Sequence, residues 1–466
     1  MAAPASLAVM ARSPTQSAAG GLGLRLGASE RSRTGRRAVT AFLVRTTSAG
    51  LLYLTQVALA RWMGAYDYGI YVFVWTWVLM LGSLSNLGLS TAVLRLIPQH
   101  RERDEQAALR GLLLGGRLLV LSVASSIALV GLVLLWCLGE RVAAPYAVPA
   151  YLGLICIPIL TLTDLQDGVA RARGLMALGL LPPYVLRPLL LIVGLGAAHL
   201  CGLPVNARIA IAVAIVASLG AAIVQTLLLR RRLRRELPPG PHRYAFALWL
   251  KTALPFWLIV ACDLTLQNAD VLVISSYLGP AEVGMYFAAA KTMSFVLFIH
   301  YAVASAMANR IAALDVRGNE EDLRAAVADA ANWIFWPSLA AGAAILLVGK
   351  PMLWFFNPQF QQAYPVMVIL AIGLLTRAAL GPADVVLNML GQGSASALLL
   401  VASALLSVAL SAALVPVFGL GGAATATSLA FVAVAAGNCA LARRRLNLRT
   451  AIWHNLDGPW RAARRS

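Results

Sequence analysis

A chain of 466 residues that is 60% hydrophobic and 12% charged lies far from soluble-domain usage of roughly 45 to 50% apolar and about 25% charged. It takes lipid for solvent, and a large soluble core is excluded. The net charge of +19 would suit nucleic acid if it were gathered on one face, but the basic residues alternate along the chain with nearly uncharged segments.

Residues 1–37 are rich in Ala, Ser, Gly and Arg, with Glu30 as the one acid. They are expected to form a disordered basic cytoplasmic tail, although an Arg/Ser-rich, acid-poor tail also has the composition of an organellar transit peptide. Twelve apolar runs follow, near 39–60, 68–94, 111–137, 147–170, 178–199, 207–229, 247–278, 284–309, 331–356, 364–390, 395–415 and 420–441. Each approaches or exceeds the roughly 20 residues that a helix needs to cross a bilayer. A second basic tail is expected over 447–466.

Alternate connections carry the arginines: Arg31, Arg33, Arg36 and Arg37, then Arg101, Arg103 and Arg110, then Arg171 and Arg173, then 230–235, then Arg310, Arg317 and Arg324, then Arg443 to Arg445. The opposite connections hold Arg61, Arg141, Arg208 and Lys350. Positive charge is retained on the cytoplasmic side, so both termini are expected there. Trp62, Tyr66, Tyr68, Trp136, Tyr146, Trp354 and Phe356 gather at the opposite ends, where rings sit among lipid headgroups.

The run Met63-Gly64-Ala65-Tyr66-Asp67-Tyr68-Gly69-Ile70-Tyr71 recurs as Leu278-Gly279-Pro280-Ala281-Glu282-Val283-Gly284-Met285-Tyr286, and the Arg-rich end at 230–233 recurs at 443–446. Two six-helix halves of like orientation are expected, 38–233 and 247–446, joined by a cytoplasmic linker over 234–246 and related by an axis along the membrane normal. Gly111 and Gly115 have the small-xxx-small spacing of close helix packing.

The stretch from Leu59 through Gly69 and Tyr71, followed by Asn86-Leu87-Gly88-Leu89-Ser90 and Arg95, resembles the opening of the polysaccharide transporter family, which includes O-antigen flippases. The second copy and the Gly419-Leu420-Gly421-Gly422-Ala423-Ala424 turn extend the resemblance over 38–446. That family shares a superfamily with multidrug and toxin extruders and lipid II flippases. The resemblance implies an all-α polytopic membrane protein of about twelve helices in two pseudo-symmetric six-helix lobes around a central cavity. It further implies a substrate of polyprenyl-pyrophosphate-linked oligosaccharide, moved by alternating access across the bacterial inner membrane. Membrane lipids, a polysaccharide polymerase and glycosyltransferases are the other partners it suggests.

An ionised side chain at a span centre costs roughly 2.5 to 3.5 kcal/mol on insertion scales, so it generally faces a cavity or a partner. Arg187 and Arg377 lie deep in spans five and ten, and guanidinium grips phosphate with two parallel hydrogen bonds. They lead the candidates for the pyrophosphate, the competing role being a pair with a buried carboxylate. Arg45 and Arg117 sit about 9 Å inside the cytoplasmic boundary, where each either receives a headgroup or snorkels to water. Asp263, Gln267 and Asp270 share one stripe of span seven. Asp263, Asp270 and Asp384 are the ion-coupling candidates, with Asp270 also a candidate structural residue. Lys291 reads as part of the repeat's core, His300 as a helix-packing group, Trp75 as a lipid-facing or core aromatic, and Asp167 with Arg171 as a surface pair.

No catalytic site is expected, because the outer acids Asp67, Glu140 and Glu282 each stand in a short turn. Cys137, Cys156, Cys201, Cys262 and Cys439 are widely spaced, and the five histidines show no HExxH or paired spacing, so the sequence supports no disulfide framework, protein-bound metal or other cofactor. A cation-coupled multidrug exporter is the alternative transport reading, disfavoured by cavity arginines that repel cations. A non-transporting membrane scaffold is the alternative of another class.

Overall fold

The computed structural model describes residues 23–139 and 143–454, and their side chains from Thr47 onward except Asn309. Two compact units are distinguished, 1–47 and 48–466. Of the first, the chain from Gly23 is helical; 1–22 and the end of the second tail, 455–466, lie outside the described residues.

The described elements are all helical. In order they are α1 (Gly23–Ser85), α2 (Leu89–Glu102), α3 (Gln106–Leu138), α4 (Ala144–Ala172), α5 (Met176–Leu181), α6 (Arg187–Leu200), α7 (Ala207–Glu236), α8 (Phe246–Tyr277), α9 (Pro280–Val316), α10 (Glu320–Leu347), α11 (Gly349–Phe356), α12 (Tyr364–Leu380), α13 (Ala383–Met389) and α14 (Gly393–Leu446). A π-helical turn, Pro182–Leu186, joins α5 to α6.

Ten runs among the described residues are long and apolar enough to cross a membrane. Two of them, Thr47–Glu102 and Gly393–Leu446, hold 56 and 54 residues, roughly 80 Å of helix against a hydrocarbon core of about 30 Å. Both fold back at a glycine. At Gly64 (φ 76°) the chain turns so that Tyr68 Oη donates to Gln56 Oε1 at 3.0 Å, although twelve residues of straight helix would part them by about 18 Å. At Gly419 (φ 56°) the turn brings Gly422 against the Leu414 carbonyl. Ten runs, two of them double, make twelve crossings, and the protein is an all-α multi-pass membrane protein.

Helices α3 to α7 pack among themselves, as do α8 to α14, and α2 against α8 joins the two sets. The copies of the repeat meet face to face. A Cβ on Gly69 would stand 1.6 Å from the Pro280 carbonyl oxygen, and one on Gly284 would stand 2.8 Å from that of Ala65, so only glycine lets these backbones approach. Tyr68, Phe287 and Phe360 cluster beside them, and Asp67 caps α7 by accepting from the Ala207 amide at 3.0 Å.

Several boundaries differ from the hydropathy reading. The second span breaks at 86–88, where the Asn86 amide donates to the Thr161 carbonyl at 3.3 Å and its Oδ1 accepts from the Ser90 amide at 2.7 Å. Trp257 Nε1 donates to the Leu84 carbonyl at 2.9 Å, which also accepts from the Leu87 amide at 3.1 Å. The ninth span begins at Glu320 rather than 331, because Asn319 caps α10 and three acids fill its first turn, features that favour a helix start yet carry no hydropathy. The tenth breaks after Leu380, and Asp384 falls in the first turn of α13.

At the arginine-rich end the linker lies along α3. Arg110 donates to the carbonyls of Pro238 and Pro241 at 2.9 and 3.0 Å, and Arg243 N to that of Ala107 at 2.9 Å. The small face of Gly111 receives the linker at Arg243, and that of Gly115 receives Tyr244 and, from the neighbouring α8, Trp249. Glu105 accepts from His100 at 2.7 Å, which holds its carboxyl below the usual range. The chain after α14 is also docked: Thr450 Oγ1 donates to the Leu380 carbonyl at 3.0 Å.

Candidate functional site

Arg187 owes its position to the π-helical turn. Pro182 and Pro183 open that turn and Pro188 follows Arg187, so missing amides unwind the span just before the guanidinium. The side chain enters a cavity of about 410 Å³ between the two halves. Trp75 lies under it, 5.8 Å from guanidinium carbon to ring centroid, and Tyr71 stacks on Trp75 at 5.9 Å. From the second half, α9 contributes Phe287, Ser294 and Lys291, whose ammonium sits 4.9 Å from the Phe287 ring centroid. Tyr53 Oη and Thr292 Oγ1 meet across the halves at 3.3 Å. Among the described residues no carboxylate stands within 4.0 Å of either cation.

Arg377 lines a different cavity, of about 270 Å³, built wholly from α8 to α14. Asp263 and Gln267 face it from α8, the amide donating to the carboxylate at 2.7 Å. His300 comes from α9 with Nε2 3.7 Å from Asp384 Oδ1, and Asn438 from α14. The Arg377 guanidinium lies 5.2 Å from the Phe431 ring centroid. Arg377 and Asp384 share the cavity without an ion pair between them, and the break after Leu380 places them on different helices, α12 and α13.

A smaller cavity of about 100 Å³ shares Gln267 and Phe431 with the second and Phe287, Lys291 and Ser294 with the first. The three therefore form a string. Asp270 borders the small one, but its carboxyl is engaged by Tyr286 Oη, by Thr427 Oγ1 at 3.2 Å and by the Val271 amide at 2.8 Å. It ties α8, α9 and α14 together.

Of the other sequence candidates, Arg117 lines none of these cavities, and the Arg45 side chain lies outside the described residues. Asp167 pairs with Arg171 at 3.1 Å. Sequence reasoning passed over Lys291, Trp75 and His300 as cavity residues. Lys291 stands four residues after Phe287 on a span otherwise short of charge, a spacing that puts ammonium and ring on one helix face.

The chain matches the model of the family described as polysaccharide biosynthesis protein over residues 35–308. No curated protein matches it. Among solved structures it is similar to an inward-facing multidrug resistance MATE family transporter of the MOP superfamily, at 17% identity over 87% of this chain and 98% of that one, with a TM-score of 0.71. It is likewise similar to the lipid II flippase MurJ in an inward closed conformation, at 13% identity over 87% of each chain, with a TM-score of 0.69. A MOP superfamily transporter from Pyrococcus furiosus Vc1, described by the reverse polarity of its binding pocket, matches at 18% identity over 88% of this chain and 95% of that one, with a TM-score of 0.64. The chain belongs to the polysaccharide biosynthesis protein family and carries the fold of MOP superfamily transporters.

Proposed function

We propose that this protein is a flippase that carries polyprenyl-pyrophosphate-linked oligosaccharide across the bacterial inner membrane by alternating access, with its arginine-rich ends and both termini in the cytoplasm. The observation that supports this most is the pairing of Arg187 with Lys291, one from each half, on a single aromatic-walled cavity. A pyrophosphate has charge to neutralise, and here two cations with no carboxylate within ion-pair distance are available to it. Arg187 offers a planar two-point grip and Lys291 a compact point charge. Because the cations belong to different halves, both engage the headgroup only while those halves are close. The ring faces of Tyr71, Trp75 and Phe287 suit the apolar faces of sugars or prenyl units.

The second cavity has another character. Asp263 and Asp384 stand beside Arg377 and His300, so it holds carboxylates as well as a cation, and it fits the uptake of a small ion better than the anionic cargo. Those carboxylates are also what a cation-coupled drug exporter would need. Export of the cognate glycan by cells carrying Arg187→Ala or Lys291→Ala separates the readings. Loss of export with the protein inserted and folded is expected for each, and normal export by both would remove the cavity from the mechanism.

A further inference from the structure

In the first half, α3, α4 and α7 enclose an apolar groove of about 350 Å³ lined by Leu121, Pro158, Leu162, Leu219, Ile223 and Leu227. It shares no lining residue with the string of cavities, and Leu219, Ile223 and Leu227 remain about half exposed along it. Both of its flanks carry an arginine toward the arginine-rich end. Arg117 precedes Leu121 by one turn of α3, and Arg230 follows Leu227 by one turn of α7, so each stands on the groove-facing side of its helix. Arg117 Nη2 is buried without a hydrogen-bond partner, and the like charge of Arg230 acts on it. Among the described residues no carboxylate lies within ion-pair distance of either.

A buried, unpartnered guanidinium N–H beside a second cation is unfavourable unless something anionic accepts from it. We propose that this groove binds one anionic phospholipid, its phosphate held between Arg117 and Arg230 and an acyl chain seated along Leu121, Leu162 and Ile223. Three features favour this occupant. The groove opens sideways, where the surrounding solvent is lipid. Its polar end lies toward the membrane face, where basic pockets between transmembrane helices meet lipid headgroups. Two arginines match one phosphate, to which each can present paired N–H groups. Separation from the inter-half cavity marks the lipid as resident rather than as cargo.

The purified full chain, stripped of lipid in detergent, would be offered phosphatidylglycerol or phosphatidylcholine and weighed by native mass spectrometry. A one-to-one phosphatidylglycerol adduct is expected, retained at least tenfold better than phosphatidylcholine. The double variant Arg117→Gln/Arg230→Gln should hold both lipids alike. Leu227→Trp fills the groove and leaves the arginines in place, and it should weaken retention as well. Undiminished phosphatidylglycerol binding by the double variant, or by Leu227→Trp, overturns the proposal, as does a preference of this site for polyprenyl diphosphate over phosphatidylglycerol.

Discussion

Replacing Gly69 by alanine tests whether the two copies of the repeat form a seam that opens during transport. The added methyl would lie 1.6 Å from the Pro280 carbonyl oxygen and 2.5 Å from its carbon, whereas carbon and oxygen approach to about 3.3 Å at closest. Backbone at the start of α9 would have to retreat by more than 1 Å, and no flexible side chain can absorb that. Overpacking of this kind costs about 1 to 3 kcal/mol, and the cost falls on the state in which the halves touch here. The ratio of seam-open to seam-closed protein should rise by roughly 5 to 150-fold. Ser294 lines the inter-half cavity, so a Ser294→Cys reporter in a cysteine-free background should react faster with an impermeant maleimide added outside. Unchanged labelling by a folded Gly69→Ala protein would refute the seam.

Asp270→Asn keeps the shape of the buried carboxyl but presents an amide to donors now satisfied by Asp270, and loss of charge-assisted hydrogen bonding should cost about 1.5 to 3 kcal/mol, read as a lower melting temperature in detergent. Asp263→Asn, at a carboxyl held by one amide, should melt close to wild type. An alkaline phosphatase reporter fused after Arg449 should be inactive, since the proposed topology keeps that end in the cytoplasm, and clear phosphatase activity would defeat it.

Much of the architecture is legible in the chain because insertion into lipid is decided by summed side-chain transfer, which a run of apolar residues displays directly. The repeat is legible too, and its glycines mark the close contact of the halves. What hydropathy does not display is the state of the backbone. The break at 86–88 rests on Asn86 capping the Ser90 amide and on Trp257 reaching the Leu84 carbonyl from the other half, and the early start of α10 rests on Asn319 and the acids after it. The candidate site shows the same division. Arg187, Arg377, Asp263 and Asp384 stand out as in-span charges, but two cavities rather than one receive them, because depth and helix neighbours separate residues that composition groups together. Lys291 reads as structural beside its motif, and it gains its interest only from facing Arg187 across the halves.

Moving an anionic headgroup out of a negative cytoplasm is downhill by roughly 2.3 kcal/mol per net charge per 100 mV, and Arg187 and Lys291 return with the empty carrier, so the charge moved per cycle is that of the cargo. The most direct test of the flippase reading is therefore the rate at which labelled polyprenyl-pyrophosphate oligosaccharide crosses vesicles containing the purified protein, with potential clamped by potassium and valinomycin at fixed pH. Protein-dependent flipping should accelerate as the cytoplasmic side is made negative, and Arg187→Ala should abolish it. Flipping that ignores the potential, or that persists undiminished in Arg187→Ala, would contradict it.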